Sequence, residues 1–328
     1  MLTVTIYPVM WRSVAFALSC LAFLSHSTYA VIIRGSWVVV NVSDAVCSPL
    51  SYGGVGDGVH NDTLAVQAAI DACVTASGTA VIDSGHTFLT YALEVRNARN
   101  FAVRVDGTLR FSNDTAGWSS RYASCIAVTG SAFIAFHGSG LVDGNGAAWW
   151  PQPDGFRPGL LHVEGGNDLL IRDTTYLNSP NHNLQLYAAN FEVTSTTILA
   201  SPPCPEVGPS VCAHNTDGID VHAKPAWIHH NFISVGDDNV AMHDNDTLVE
   251  DNVFGTGHGA SIGSLGGAIN LRNITVRRTS FNGPWQRRGC SVAHRTFGVA
   301  ACADLYCHVL VIINHSLCRY RTSDAHQK

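Results

Sequence analysis

The sequence predicts an all-β chain wound into a parallel β-helix, a β-solenoid with a short N-terminal capping helix. Three observations carry that expectation. Segments 231-NFISVGDDNVAMH-243, 252-NVFGTGHGASIG-263 and 273-NITVRRTSFNG-283 begin with asparagines spaced 21 residues apart, and a fixed period of that length is the signature of stacked coils. Similar β-type runs, less evenly spaced, lie upstream at 101-FAVRVDGTLRF-111, 133-FIAFHGSGLVDGNG-146, 168-DLLIRDTTYL-177 and 184-LQLYAANFEVTSTTIL-199. The composition is 46% hydrophobic and only 13% charged, with thirty glycines, which suits a core-rich protein of strands and turns. Leucine-rich repeats share the period, but their L-x-x-L-x-L frame is absent.

The elements follow in chain order. Residues 1–30 read as an export signal. Arg12 precedes the apolar run 13-SVAFALSCLAFL-24, and small or polar residues lead to Ala30. The run is short for a membrane span, so the mature chain is expected to start near Val31, to be soluble and to be secreted. Export agrees with N-x-S/T acceptor sites at Asn41, Asn61, Asn113, Asn245, Asn273 and Asn314. It also agrees with ten cysteines, of which Cys204 with Cys212 and Cys47 with Cys73 are the expected disulfides, leaving Cys125 without an evident partner.

An open solenoid end exposes strand edges and needs a cover. Residues 62-DTLAVQAAIDACVTAS-77 supply one: Asp62 is a good N-cap, and Val66, Ala69, Ile70 and Cys73 fall on one helical face. The coils are expected to occupy residues 31–283, which carry twelve basic against twenty-three acidic residues, a net −11. From Pro284 to Lys328 the rhythm stops, the net charge becomes +4, and four cysteines appear at positions 290, 302, 307 and 318. A small cysteine-stapled appendage is one reading of this tail. Translation from a wrong frame or an unspliced intron is the preferred one, and it would leave the last coil uncapped.

The repeat gives meaning to 236-GDDNVAMH-243. Asp217 lies 20 residues before Asp237, and Asp237 lies 21 before His258. In a solenoid of that period these residues occupy equivalent places on successive coils, about 4.8 Å apart. Asp217, Asp237, Asp238 and His258 should therefore form one ladder. Neighbours on a regular strand face opposite ways, so the backbone must bend for Asp237 and Asp238 to share a face, and Gly236 permits it. Crowded carboxyls raise one another's affinity for a proton, letting one act as acid while others stay ionised. Glycosidic cleavage needs that division, and carboxyls about 6.5–9.5 Å apart admit the water of an inverting reaction.

The residues 215-NTDGID-220, 236-GDDNVA-241 and 257-GHGASIGS-264, in that order, resemble the polygalacturonase family of pectin-degrading glycoside hydrolases. So do 56-GDGVHNDTLAVQAAIDAC-73 and 139-SGLVDGNGAAWW-150. The resemblance covers roughly residues 52–283. It implies a right-handed parallel β-helix that hydrolyses α-1,4-galacturonosyl bonds of pectin with inversion, without metal or other cofactor. Residue by residue it implies Asp237 as general acid, Asp217 and Asp238 as the groups that activate water, and His258 beside the acid. Asn215, Gly257 and Gly259 are expected to shape turns, and Asp220 is open between a ladder residue and a catalytic one. The stretch 236-GDDN departs from the family's frequent QDDC and is closer to exo-acting members.

The family also carries an Arg-Ile-Lys segment about one coil past the histidine, whose cations hold the substrate carboxylate. Here 284-PWQRRGC-290 follows instead, leaving Arg287 and Arg288 as candidate substitutes; Lys224 and Lys328 are the only lysines. Two other classes remain: a calcium-dependent pectate-type lyase, in which the carboxylates would be ligands, and a non-catalytic glycan-binding solenoid. The acidic body disfavours nucleic acid. The expected partner is pectic polysaccharide, and the expected state is a monomer.

Overall fold

The computed structural model describes residues 27–33, 36–118, 123–151, 155–202, 212–262, 271–282, 291–292, 311–313 and 316–318. Parallel strands dominate it. One sheet runs through Val46–Cys47, Thr79–Ile82, Arg99–Val105, Ala132–His137, Gly159–Arg172, Leu184–Thr194, Ile219–Val221, Val240–Met242, Ala260–Ile262 and Ser291–Val292, with side branches on the two long strands. A second sheet of nine strands runs from Asp57–Asn61 to Ser280–Phe281. Successive strands of each sheet come from successive turns of the chain, which makes the molecule a right-handed parallel β-helix, the hand that parallel crossovers take.

Strand alternation explains the core. Ile126, Leu161, Leu184, Ile219, Val240 and Ala260 stack in register on consecutive coils, and all six are buried. On the second sheet Leu109, Val142, Tyr176, Ile198, Ile233 and Phe254 form an equivalent inward column. Each such side chain contributes about 1.5–3 kcal/mol by leaving water. The columns stay continuous because every coil satisfies its backbone hydrogen bonds on the next.

A buried polar ladder marks one corner. Asn231 donates through its backbone N and its Nδ2 to Asn252 Oδ1, both at 3.0 Å, while its own Oδ1 accepts from Thr196 N at 2.9 Å. The expected alignment of the third asparagine is corrected here. Val253 pairs with Ser280, so Thr279, not Asn273, follows Asn252. Asn273 instead pairs with Asp246, accepted by its Oδ1 at 2.6 Å. That coil holds six more residues than the preceding one, and the regular spacing of the three asparagines was coincidental at its last member.

The capping helix is Thr63–Ala76, with Ala65, Val66, Ala69, Ile70 and Cys73 buried. Asp62 stands at its N-cap but makes no side-chain cap. Its carboxylate accepts from Val55 N at 2.8 Å and Gly56 N at 3.0 Å, because those loop amides lack strand partners, and Asn61 Oδ1 accepts from Thr63 N instead. Cys47 and Cys73 form a disulfide with Cα atoms 5.8 Å apart, fastening the helix to the first strand. Cys212 is disulfide-bonded, Cys204 lies outside the described residues, and Cys125 is free and buried.

Residues 1–26 and most of the tail fall outside the described residues. Strands Ser27–Ile33 and Ser36–Val42 form an antiparallel hairpin, as do Val311–Ile313 and Ser316–Cys318. Among the described residues no helix is long and apolar enough to cross a membrane.

Candidate active site

Three consecutive coils, ending in strands Ile219–Val221, Val240–Met242 and Ala260–Ile262, bring the expected residues together just before those strands begin. The backbone register differs by one residue from the sequence expectation. Gly218 N donates to Asp238 O and His258 N to Asp237 O, each at 2.8 Å, which sets Asp217, Asp238 and His258 level with one another. Asp237 lies one residue before that level, yet its side chain still meets the imidazole. His258 Nδ1 is 3.0 Å from Asp237 Oδ1 and 3.7 Å from Asp238 Oδ1.

The bend before the paired aspartates rests on a close approach. A Cβ on Gly236 would lie 1.7 Å from Ala213 O, and Gly236 N donates to Thr216 Oγ1 at 2.9 Å. The turn that presents His258 is held from inside by Asn239. Its Oδ1 accepts from Gly259 N at 2.9 Å, while its Nδ2 donates to Ile233 O and Thr256 O at 2.9 and 3.0 Å. Gly257, at φ 146°, passes so near Asn239 that a Cβ would lie 2.4 Å from its Oδ1. The asparagine of 236-GDDN is therefore the scaffold of the histidine turn. Sequence reasoning had seen it only as a departure from QDDC.

Upstream, Asn215 adopts φ 52° in the left-handed region, and Arg157 secures this turn. Its Nη1 donates to Pro180 O and His214 O at 3.0 and 2.9 Å, and its Nη2 to Asn215 Oδ1 at 3.2 Å. Asn183 donates from N and Nδ2 to Asp217 O at 2.8 and 3.1 Å. His182 stands beside the acids, with Nδ1 2.5 Å from Asp220 Oδ2 and 3.6 Å from Asp217 Oδ1. Neither Arg157 nor His182 carries a sequence signal, since each lies dozens of residues from the acids at no repeat spacing.

The carboxyls divide into two electrostatic kinds. Burial pushes the Asp217 carboxyl well above the usual range, and the charge of Asp220 adds to this, outweighing His182. Burial likewise raises Asp238 to about 6, although Ser261 Oγ donates to its Oδ1. Asp237 also feels burial, but its hydrogen bond to His258, the imidazolium charge and the Asp238 amide together hold it below the ordinary value. Resting electrostatics thus leave Asp237 ionised, with the proton of the Asp237–His258 pair on the imidazole, while Asp217 and Asp238 bind protons more strongly. That distribution differs from the simple expectation of a protonated Asp237.

Two groups could hold a cation: His182 with Asp217 and Asp220, and Asp237 with Asp238 and His258, their ligand atoms within 4.8 Å of one another. Each contains an imidazole and only two carboxylates, a poor match to calcium, which takes six to eight oxygens. Arg287 and Arg288 lie outside the described residues.

The sequence pattern of the glycosyl hydrolases family 28 matches residues 74–285. The chain belongs to that family. It is 32% identical over 252 residues to a probable endo-xylogalacturonan hydrolase A of Aspergillus niger, covering 71% of this chain and 58% of that one. It is 30% identical over 243 residues to a probable polygalacturonase of Arabidopsis thaliana, with coverage of 71% and 51%. The chain thus spans between half and three-fifths of the length of these curated relatives. Among solved structures, the endo-xylogalacturonan hydrolase of Aspergillus tubingensis superimposes with a TM-score of 0.65 at 26% identity, over 78% of this chain and 69% of that one. The family 28 match contains Asp217, Asp237, Asp238 and His258, all four residues expected to carry the chemistry.

Proposed function

We propose that this chain is a secreted, monomeric polygalacturonase-type glycoside hydrolase that cleaves α-1,4-galacturonosyl bonds of pectic polysaccharide with inversion. Its relatives named polygalacturonase and endo-xylogalacturonan hydrolase support the substrate class. The observation that carries the reading is the split of the site into an Asp237–His258 pair at 3.0 Å and two proton-seeking carboxyls, Asp217 and Asp238.

The pair holds one proton between its members, so its titration belongs to both. Asp237 delivers that proton to the leaving glycosidic oxygen, and His258 resupplies it across their contact. Water attacks the anomeric carbon as the bond to the leaving oxygen breaks. Asp238 and Asp217, ionised for this step and strongly basic because they are buried, take the proton that water gives up.

The test is incubation of the full chain with polygalacturonate, followed by product analysis. Saturated reducing ends of inverted anomeric configuration support the proposal. An unsaturated, ultraviolet-absorbing product abolished by chelator would establish the lyase instead. Binding without turnover at any pH would leave a glycan-binding solenoid.

A further inference from the structure

His182 occupies a place in the site that the proposed chemistry does not yet use. Its carbonyl is pinned twice, accepting from Ser179 Oγ at 2.8 Å and from Leu160 N at 2.9 Å. The backbone therefore fixes where the imidazole can reach. Its Nδ1 lies 2.5 Å from Asp220 Oδ2, so the single hydrogen on that nitrogen is committed to Asp220. The 3.6 Å to Asp217 Oδ1 is too long for a good hydrogen bond but well within reach of an unscreened charge.

Asp217 and Asp220 stand three residues apart in 217-DGID-220, both buried, at 8% and 2% exposure. The second oxygen of Asp220, Oδ1, is buried with no hydrogen-bond partner. Two such carboxyls repel, and without a cation between them one would take up a proton. A protonated Asp217 cannot accept one from water.

We propose that His182 is a positioning residue of the hydrolytic centre, its imidazolium anchored on Asp220 so that its charge keeps Asp217 ionised and free to bind water. This rests on the hydrolase reading above. The groups facing His182 are Asp217, Asp220 and Asp237, which favour its cation, and His222 and His243, which it opposes from the following coils. Burial works against the cation, but the bond to Asp220 and the charges of Asp217, Asp220 and Asp237 outweigh it and raise His182 to about 9.

The experiment uses the full chain in three forms: wild type, His182→Gln and His182→Lys. Glutamine retains a donor for Asp220 without the charge, and lysine restores a cation. Two quantities are read: the pH profile of kcat/KM on polygalacturonate, and the titration of the Asp217 carboxyl by carbon-13 NMR. In His182→Gln the acid limb and the Asp217 titration should move up by about one pH unit, a roughly tenfold loss of kcat/KM on the acid side with KM within about twofold. His182→Lys should return both toward wild type. A uniform fall in kcat with the limb and titration unmoved would mean a packing role and would overturn the proposal. A shifted Asp217 titration in a chain that cleaves no pectic polymer would uphold the role of His182 in setting that charge and refute the hydrolase reading. If His182→Gln does not fold, an Asp217 titration in His182→Lys that departs from wild type by more than a unit counts against the proposal.

Discussion

Asp237 and Asp238 are adjacent in sequence and opposite in character, and single substitutions should expose the difference. Asp237→Asn removes the proton relay from His258 and should lower kcat by about 10²–10⁴-fold with little change in KM, as measured by reducing-end release. Asp238 must be ionised to accept a proton from water, and it titrates near 6. The acid limb of kcat/KM is therefore expected near pH 6, and Ser261→Ala, which removes a donor to its carboxylate, should move that limb upward. Stability has the opposite dependence. The folded-state value of Asp238 lies above its ordinary 3.8, so the ionised carboxylate costs the folded state above pH 6, and the cost disappears as pH falls below the ordinary value. Asp238→Asn should then abolish turnover yet raise the unfolding free energy by about 1–3 kcal/mol at pH 7 and by nothing at pH 3.5, measured by denaturant titration.

Single elements show what could be read in advance. The paired aspartates and His258 were legible because coils of 21 and 20 residues bring them level, leaving an error of only one residue in the row. Asn273 was misplaced because a longer coil intervenes, and nothing in its composition marks the added length. Asp62 had the right residue type for a helix cap, but two loop amides compete for its carboxylate. Arg157 and His182 were beyond reach, since a spacing of 57 residues from Arg157 to His214 or 38 from His182 to Asp220 fits no repeat. The corner ladder, once seen, has a measurable worth. Asn252→Ala strips an acceptor from two groups of Asn231 and should cost about 2–4 kcal/mol, read as a lowered midpoint of thermal unfolding.

At the scale of the molecule, charge works against the proposed substrate. Residues 31–283 carry a net −11, and pectic polymers are polyanions, so encounter takes place against the protein's own field. Screening shortens that field to about 8 Å at physiological ionic strength. Raising salt from about 10 to 150 mM should therefore lower KM for polygalacturonate and leave kcat nearly constant, the reverse of the behaviour of a cationic binding groove.

The two sheets also govern which sequence changes the chain can absorb. Strand Phe191–Thr194 pairs with Ala226–His229 across 35 residues, whereas the next pairing spans 21, yet both rungs seat alike. Extra length is shed outward at the corners and leaves no trace in the stack. A residue gained inside a strand has nowhere to go: it turns apolar side chains outward and passes the error to each rung laid upon it. Evolution or an engineer can thus lengthen the corners freely to reshape the groove walls, while the rungs beneath Asp217 tolerate no change in count.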